Sequence, residues 1–130
     1  MENASEKTKK VCIVDDDESI RDMYSTKFRL EGFEPICAIN GEEGLKLIRE
    51  QKPDIIVLDM QMPVKGGLEV LSEMKDDPSI NTIPVIILSN LSDEKTNAKV
   101  GKFDGAHFYI IKALTTPQKV VDIIHEVLHG

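Results

Sequence analysis

Apolar and polar positions follow two rhythms along this chain. Short apolar runs at 11–14, 55–58 and 85–88, each bounded by polar residues, read as strands buried on both faces. Between them, apolar residues recur at three-residue and four-residue steps, the spacing of a helix with one inward face. Residues 19–30 carry Ile20, Met23, Tyr24, Phe28 and Leu30 in this way, and Gly32 ends the helix. The segment 35–38 is a weaker strand, placed at an edge because Pro35 has no ladder donor. Asn40 is set to cap a helix over 41–49 that faces inward with Leu45 and Ile48. Pro53 then breaks the chain, and 55–58 reads as the central strand. Gly66 and Gly67 loosen the next loop, and Leu68, Leu71 and Met74 mark a third helix. Residues 76–82 form a polar connector. A fourth strand over 84–88, a polar helix over 92–102 and a fifth strand over 107–111 come next. The last helix starts at Thr116 and Pro117, a cap followed by proline at the first helical position. Val120, Val121, Ile124, Val127 and Leu128 form its apolar face.

Strand–helix alternation with short connections predicts the α/β class. It calls for a parallel sheet with helices on both faces, because such crossovers are right-handed. One domain over 10–129 is expected, behind a polar, flexible tail over 1–9, and no second domain. The helix over 92–102 is the odd element. Ala98, Val100 and Phe103 offer little apolar area against Lys95, Lys99 and Lys102, as expected of a solvated or partner-binding face.

Composition narrows the function. A 41% apolar and 30% charged chain of 130 residues is an ordinary globular domain with enough length for a core without staples. A net charge of -7 argues against generic nucleic-acid binding through a basic face. No stretch approaches the roughly 20 apolar residues of a membrane span, and the amino terminus has no secretory pattern, so the cytoplasm is expected. Cys12 and Cys37 lie in apolar runs without a CxxC pair, as two buried free thiols would.

The polar residues that end the strands carry the candidate chemistry. The first run leads into Asp15 and Asp16, the central run into Asp59, the fourth into Ser89, and Tyr109 to Ile111 into Lys112. Parallel strands would gather these groups at one edge of the sheet, where open α/β folds place ligands. Helix capping accounts for one or two of the acids Asp15, Asp16, Asp17 and Glu18, but four adjacent like charges repel. A hard cation such as Mg²⁺ relieves that repulsion with oxygen ligands, and Asp16 and Asp59 are placed to hold it between them. Beside a cation, Asp59 is a candidate nucleophile that would form an acyl phosphate. Ser89 and Lys112 supply the hydroxyl and ammonium that a phosphoryl group needs.

The segments VCIVDDDES, PDIIVLDMQMPVKGG, IPVIILSN and GAHFYIIKA resemble, over residues 9–128, the receiver domain of two-component response regulators. The resemblance implies a CheY-like, flavodoxin-like fold: a (βα)5 receiver whose five-stranded parallel sheet has order 2-1-3-4-5, with five helices on its two faces. It implies Asp59 as the phosphorylation site. Asp16 is a direct Mg²⁺ ligand with Asp15 acting largely through water, and the Gln61 carbonyl is a further ligand; Mn²⁺ is an alternative ion. It also implies Ser89 and Tyr109 as a paired switch, Lys112 as partner of Asp59 and of the phosphate, and Met62, Pro63 and Gly67 as shaping the acceptor loop. This chain departs from the pattern at Ala113, where proline after a cis bond is usual, at Asn90, where a small residue is usual, and at Gly66. A cis bond before alanine costs several kcal/mol, so a trans loop is expected at Ala113.

The expected function is that of a phospho-accepting switch. A histidine kinase or histidine phosphotransfer protein donates the phosphoryl group, and a downstream protein reads the change. The reading face comprises the 92–102 helix, the fifth strand and the last helix. Gln61 and Leu91 are expected to set the phosphorylated lifetime. The chain is expected to act alone, as a monomer or weak dimer, without binding nucleic acid. A Mg²⁺-dependent phosphatase of small metabolites fits less well. Such enzymes need a second carboxylate close after the nucleophile, where this chain has Met60, Gln61, Met62 and Pro63. A receiver-like interaction module that is never phosphorylated is the other alternative, motivated by Ala113 and Asn90.

Overall fold

The computed structural model describes residues 8–89 and 106–129. Five parallel strands form one sheet: β1 (Lys10–Val14), β2 (Glu34–Ala38), β3 (Ile55–Asp59), β4 (Val85–Ser89) and β5 (Ala106–Ile111). Their spatial order is β2-β1-β3-β4-β5, with β2 at an edge as Pro35 suggested. The described helices are α1 (Glu18–Leu30), α2 (Gly41–Gln51), α3 (Gly67–Lys75) and α4 (Pro117–His129). The helix expected over 92–102 lies outside the described residues, as do Asn90 and Leu91. None of the described helices is long and apolar enough to cross a membrane.

Side chains alternate across the pleat, so each central strand feeds two cores. Cys12, Val14, Ile56, Leu58 and Ile87 pack beneath α2 and α3, against Leu45, Ile48 and Leu71. Ile13, Val57, Ile86 and Leu88 pack beneath α1 and α4, against Phe28, Val121 and Ile124. β3 and β4 are buried along their whole length. Each Leu or Ile buried in this way contributes about 1.5–3 kcal/mol, which is why continuous apolar runs make stable central strands.

Caps set where the helices begin. Asp17 accepts from Ser19 N–H at 2.9 Å and starts α1. Asn40 accepts from Glu43 N–H at 2.8 Å, while the Glu43 carboxylate accepts from Ile39 N–H at 3.2 Å, a reciprocal cap on α2. Thr116 Oγ1 accepts from Lys119 N–H at 3.2 Å and starts α4. Gly32 comes just after α1 with φ 87°, a left-handed conformation that favours glycine.

The structure corrects two expectations. Cys37 is exposed although Cys12 is buried. As β2 is an edge strand, the Cys37 thiol is covered incompletely, and it lies 3.1 Å from Ser25 Oγ. Cys12 is enclosed on β1, where burial first, and the nearby Cys37 second, pushes its thiol pKa up to about 12. The polar connector between α3 and β4 also carries a core residue. Ile80 is fully buried there, with Asp77 accepting from Ser79 N–H and Oγ–H to hold the turn that delivers it.

Candidate functional site

Strand register brings the candidate groups together. Val14 pairs with Leu58, so Asp15 leaves β1 beside Asp59 at the end of β3. Asp59 pairs with Leu88, which places Ser89 one residue beyond it on β4, and Ser89 pairs with Ile111, just before Lys112. Asp15, Asp16 and Asp59 each offer a carboxylate oxygen, and these oxygens lie within 4.8 Å of one another. Asp15, Asp59 and Ser89 are buried, whereas Asp16 faces solvent at the rim. Lys112 Nζ bridges the buried pair, 3.1 Å from Asp15 Oδ2 and 3.2 Å from Asp59 Oδ1.

The backbone presents these carboxylates. Asp15 N–H donates to Ala38 O at 3.1 Å, continuing the ladder one residue past β1. Its Oδ1 accepts from Asp17 N–H at 2.9 Å. Its Oδ2 is buried, with the Lys112 ammonium 3.1 Å away as its partner. Asp59 Oδ1 accepts from Gln61 N–H at 3.3 Å, and Met60 N–H donates to Leu88 O at 3.2 Å, so the loop after β3 leaves the strand still tied to the sheet.

Charge decides what the cluster can hold. Two carboxylates 4.8 Å apart repel by roughly 3 kcal/mol at an effective dielectric constant near 20. Three ionised carboxylates outnumber the Lys112 ammonium among them, even with the Arg21 guanidinium held on Asp15 O nearby. Burial first, and the Asp15 charge second, push Asp59 up to about 6 against the opposing pull of Lys112 and Gln61 N–H. For Lys112, burial draws the pKa down, but Asp59 and Asp15 outweigh it and hold the ammonium above its ordinary value. An all-oxygen donor set and a surplus of carboxylates over cations fit a hard divalent cation.

The remaining residues singled out from the sequence lie around this cluster. Gln61 and Met62 come after Asp59 in the loop, which turns sharply at Pro63. Lys65 N–H donates to Pro63 O at 2.8 Å, with Val64 between them at φ 72°, a strained conformation for a β-branched residue. Gly67 starts α3 against that loop, where a Cβ would lie 2.8 Å from Asp59 O. Tyr109 is half-buried on β5, beside the core under α2 and α3, and its hydroxyl has no hydrogen-bond partner among the described residues. No described peptide bond is cis, so Lys112 reaches both carboxylates with a trans bond to Ala113.

Two residues at the site escaped the sequence reading. Arg21 donates from a guanidinium nitrogen to Asp15 O at 2.8 Å. Its place in the first turns of α1, six residues after Asp15, is the signal that could have found it. Gly41 N–H donates to Lys65 O at 3.0 Å and ties α2 to the loop between β3 and α3. No local pattern signals that contact.

The chain matches the family model of the response regulator receiver domain over residues 11–125. It is 34% identical over 115 residues to the polar-differentiation response regulator DivK of Brucella anthropi, covering 88% of this chain and 93% of that one. It is 36% identical over 103 residues to the regulatory protein AtoC of Escherichia coli, where the match spans 79% of this chain but only 22% of the longer protein. The chemotaxis protein CheY4 of Vibrio cholerae superposes with a TM-score of 0.83 at 27% identity, over 93% of this chain and 99% of that one. With a family match running from β1 into α4 and a likeness to DivK over almost the whole of both chains, this chain belongs to the response regulator receiver domains.

Proposed function

We propose that this chain is a phospho-accepting switch that takes a phosphoryl group from a phosphohistidine onto Asp59. The observation that carries the reading is the Lys112 ammonium bridging Asp15 and Asp59 within a three-carboxylate cluster. The donor is a histidine kinase or a histidine phosphotransfer protein. An Asp59 oxygen bonds to phosphorus in line as the phosphorus–nitrogen bond to the donor imidazole breaks, leaving an acyl phosphate and a free imidazole. Asp59, with a pKa of about 6, is mostly ionised at neutral pH, as attack requires. Asp16, Asp59 and the Gln61 carbonyl, with Asp15 through water, would hold Mg²⁺ or Mn²⁺, which screens the charge on the transferring phosphoryl group. Lys112 turns its ammonium toward the phosphoryl oxygens and Ser89 donates its hydroxyl. Water later hydrolyses the acyl phosphate, and Gln61 and Leu91 tune how long it lasts.

The switch runs through Ser89 and Tyr109. When Ser89 engages the phosphoryl group, the Tyr109 ring moves inward behind it. Tyr109 lines a groove of about 290 Å³ with Leu114, Lys119 and Ile123, so its movement reshapes a surface that a downstream protein can read. Intact mass after incubation with acetyl phosphate tests the reading. One phosphoryl group is expected on the parent chain with Mg²⁺, and none on Asp59→Asn or in chelator. No adduct from acetyl phosphate or from a panel of phosphorylated kinases would leave an interaction module that is never phosphorylated.

A further inference from the structure

We propose that His125 and His129 form a two-imidazole site for a divalent transition metal of the Zn²⁺ class at the end of α4. The segment His125-Glu126-Val127-Leu128-His129 spaces the two imidazoles by one helical turn, so they share a face. Their rings are stacked with centroids 5.6 Å apart and planes 27° apart. At a metal–nitrogen length of about 2.0–2.1 Å, two imidazoles on one tetrahedral ion have ring centres about 5 Å apart. The pair is therefore spaced to share one ion once the rings turn out of their stack and bring one nitrogen each toward it. The His125 ring also rests on Phe33, centroids 5.1 Å apart, and Phe33 is buried. This backing restricts one ligand before metal arrives and lowers the entropy lost on binding. The carbonyls at the carboxyl end of α4 add the negative pole of the helix, which favours a cation.

The site is separate from the acidic cluster in place and in chemistry. Phe33 immediately precedes β2, so the histidines lie at the amino-end edge of the parallel sheet, opposite the edge that carries Asp59. Imidazole nitrogens select Zn²⁺, Cu²⁺ or Ni²⁺, whereas the carboxylates suit Mg²⁺. The same spacing serves zinc peptidases, in which further ligands complete the site. Among the described residues, no third His, Cys, Asp or Glu joins the two imidazoles. The structure therefore supports metal binding here, with water in the open positions, and not hydrolysis.

Calorimetric titration with Zn²⁺ tests this on the full chain, carrying Cys37→Ser to remove the exposed thiol, in excess Mg²⁺ to occupy the acidic cluster. One Zn²⁺ is expected to bind per chain. His125→Ala and His129→Ala should each weaken it by about tenfold or more, because either leaves a single imidazole without its tethered partner. Glu126→Gln should leave it unchanged. Imidazole ring protons of both histidines should shift together in the parent's NMR spectrum at the same metal ratio. Single-histidine variants that bind as tightly as the parent, shifts at one ring or neither, or no uptake would overturn the site.

Discussion

Asp59 shows how one residue couples stability to its own chemistry. Its carboxyl titrates near 3.8 in an unfolded chain and at about 6 in the metal-free fold, chiefly because burial disfavours the charge. Between those values the folded state binds more protons than the unfolded state. Stability therefore falls as pH rises through this window and levels off above it. The loss amounts to about 1–3 kcal/mol. Urea unfolding in chelator from pH 4 to 7 should show this decline. Asp59→Asn should remove it and leave the metal-free protein more stable than the parent at pH 7. An unchanged slope in the variant would place the titration elsewhere. Asp59, Asp15, Ser89 and Lys112 were legible from sequence because each stands at the carboxyl end of an apolar run, and a buried strand delivers its terminal residue to the sheet edge. Arg21 was not, because its role is a contact to a backbone carbonyl that only the packed first turns of α1 create.

Among the elements, the loop between β3 and α3 is held from two sides. Gly67 N–H donates to Met60 O at 3.2 Å, and Gly41 N–H meets Lys65 O at 3.0 Å. A Cβ on Gly41 would lie 2.3 Å from Lys65 O, an unyielding backbone atom, whereas one on Gly66 would lie 3.3 Å from Met60 O. Gly41→Ala must therefore displace the loop or α2, at a cost of about 1–3 kcal/mol, while Gly66→Ala should change stability by less than about 1 kcal/mol. Urea midpoints of the two variants compare them directly, and equal losses would refute the lock between α2 and the loop. Strands were legible as short apolar runs and helices by their three-residue and four-residue spacing. The caps at Asn40 and Thr116 were legible because they act within three residues. Cys37 was misjudged because an apolar run does not reveal whether both of its faces are covered, and at the edge of this sheet the cover is incomplete.

For the whole molecule, a net charge of -7 and a cluster of three carboxylates predict that divalent cations stabilise the fold. A ligand that binds only the folded state adds about 2.7 kcal/mol at a hundredfold excess over its dissociation constant. Thermal unfolding should therefore shift upward by several degrees with saturating Mg²⁺ and return on adding chelator. Asp59→Asn should reduce that shift, and a response equal to the parent's would dissociate Mg²⁺ from this cluster. By itself the sequence determined the strand–helix alternation, the caps and the identity of the groups that end each strand. These depend on residues a few positions apart, whose periodicity and side-chain chemistry act locally. Tertiary structure alone decided how far Lys112 reaches across the sheet to Asp15 and Asp59, that Ile80 enters the core, that Cys37 stays exposed, and that Gly41 holds the loop between β3 and α3. Those outcomes rest on strand register and on contacts between segments far apart in the chain, where the deciding energy belongs to neither segment alone.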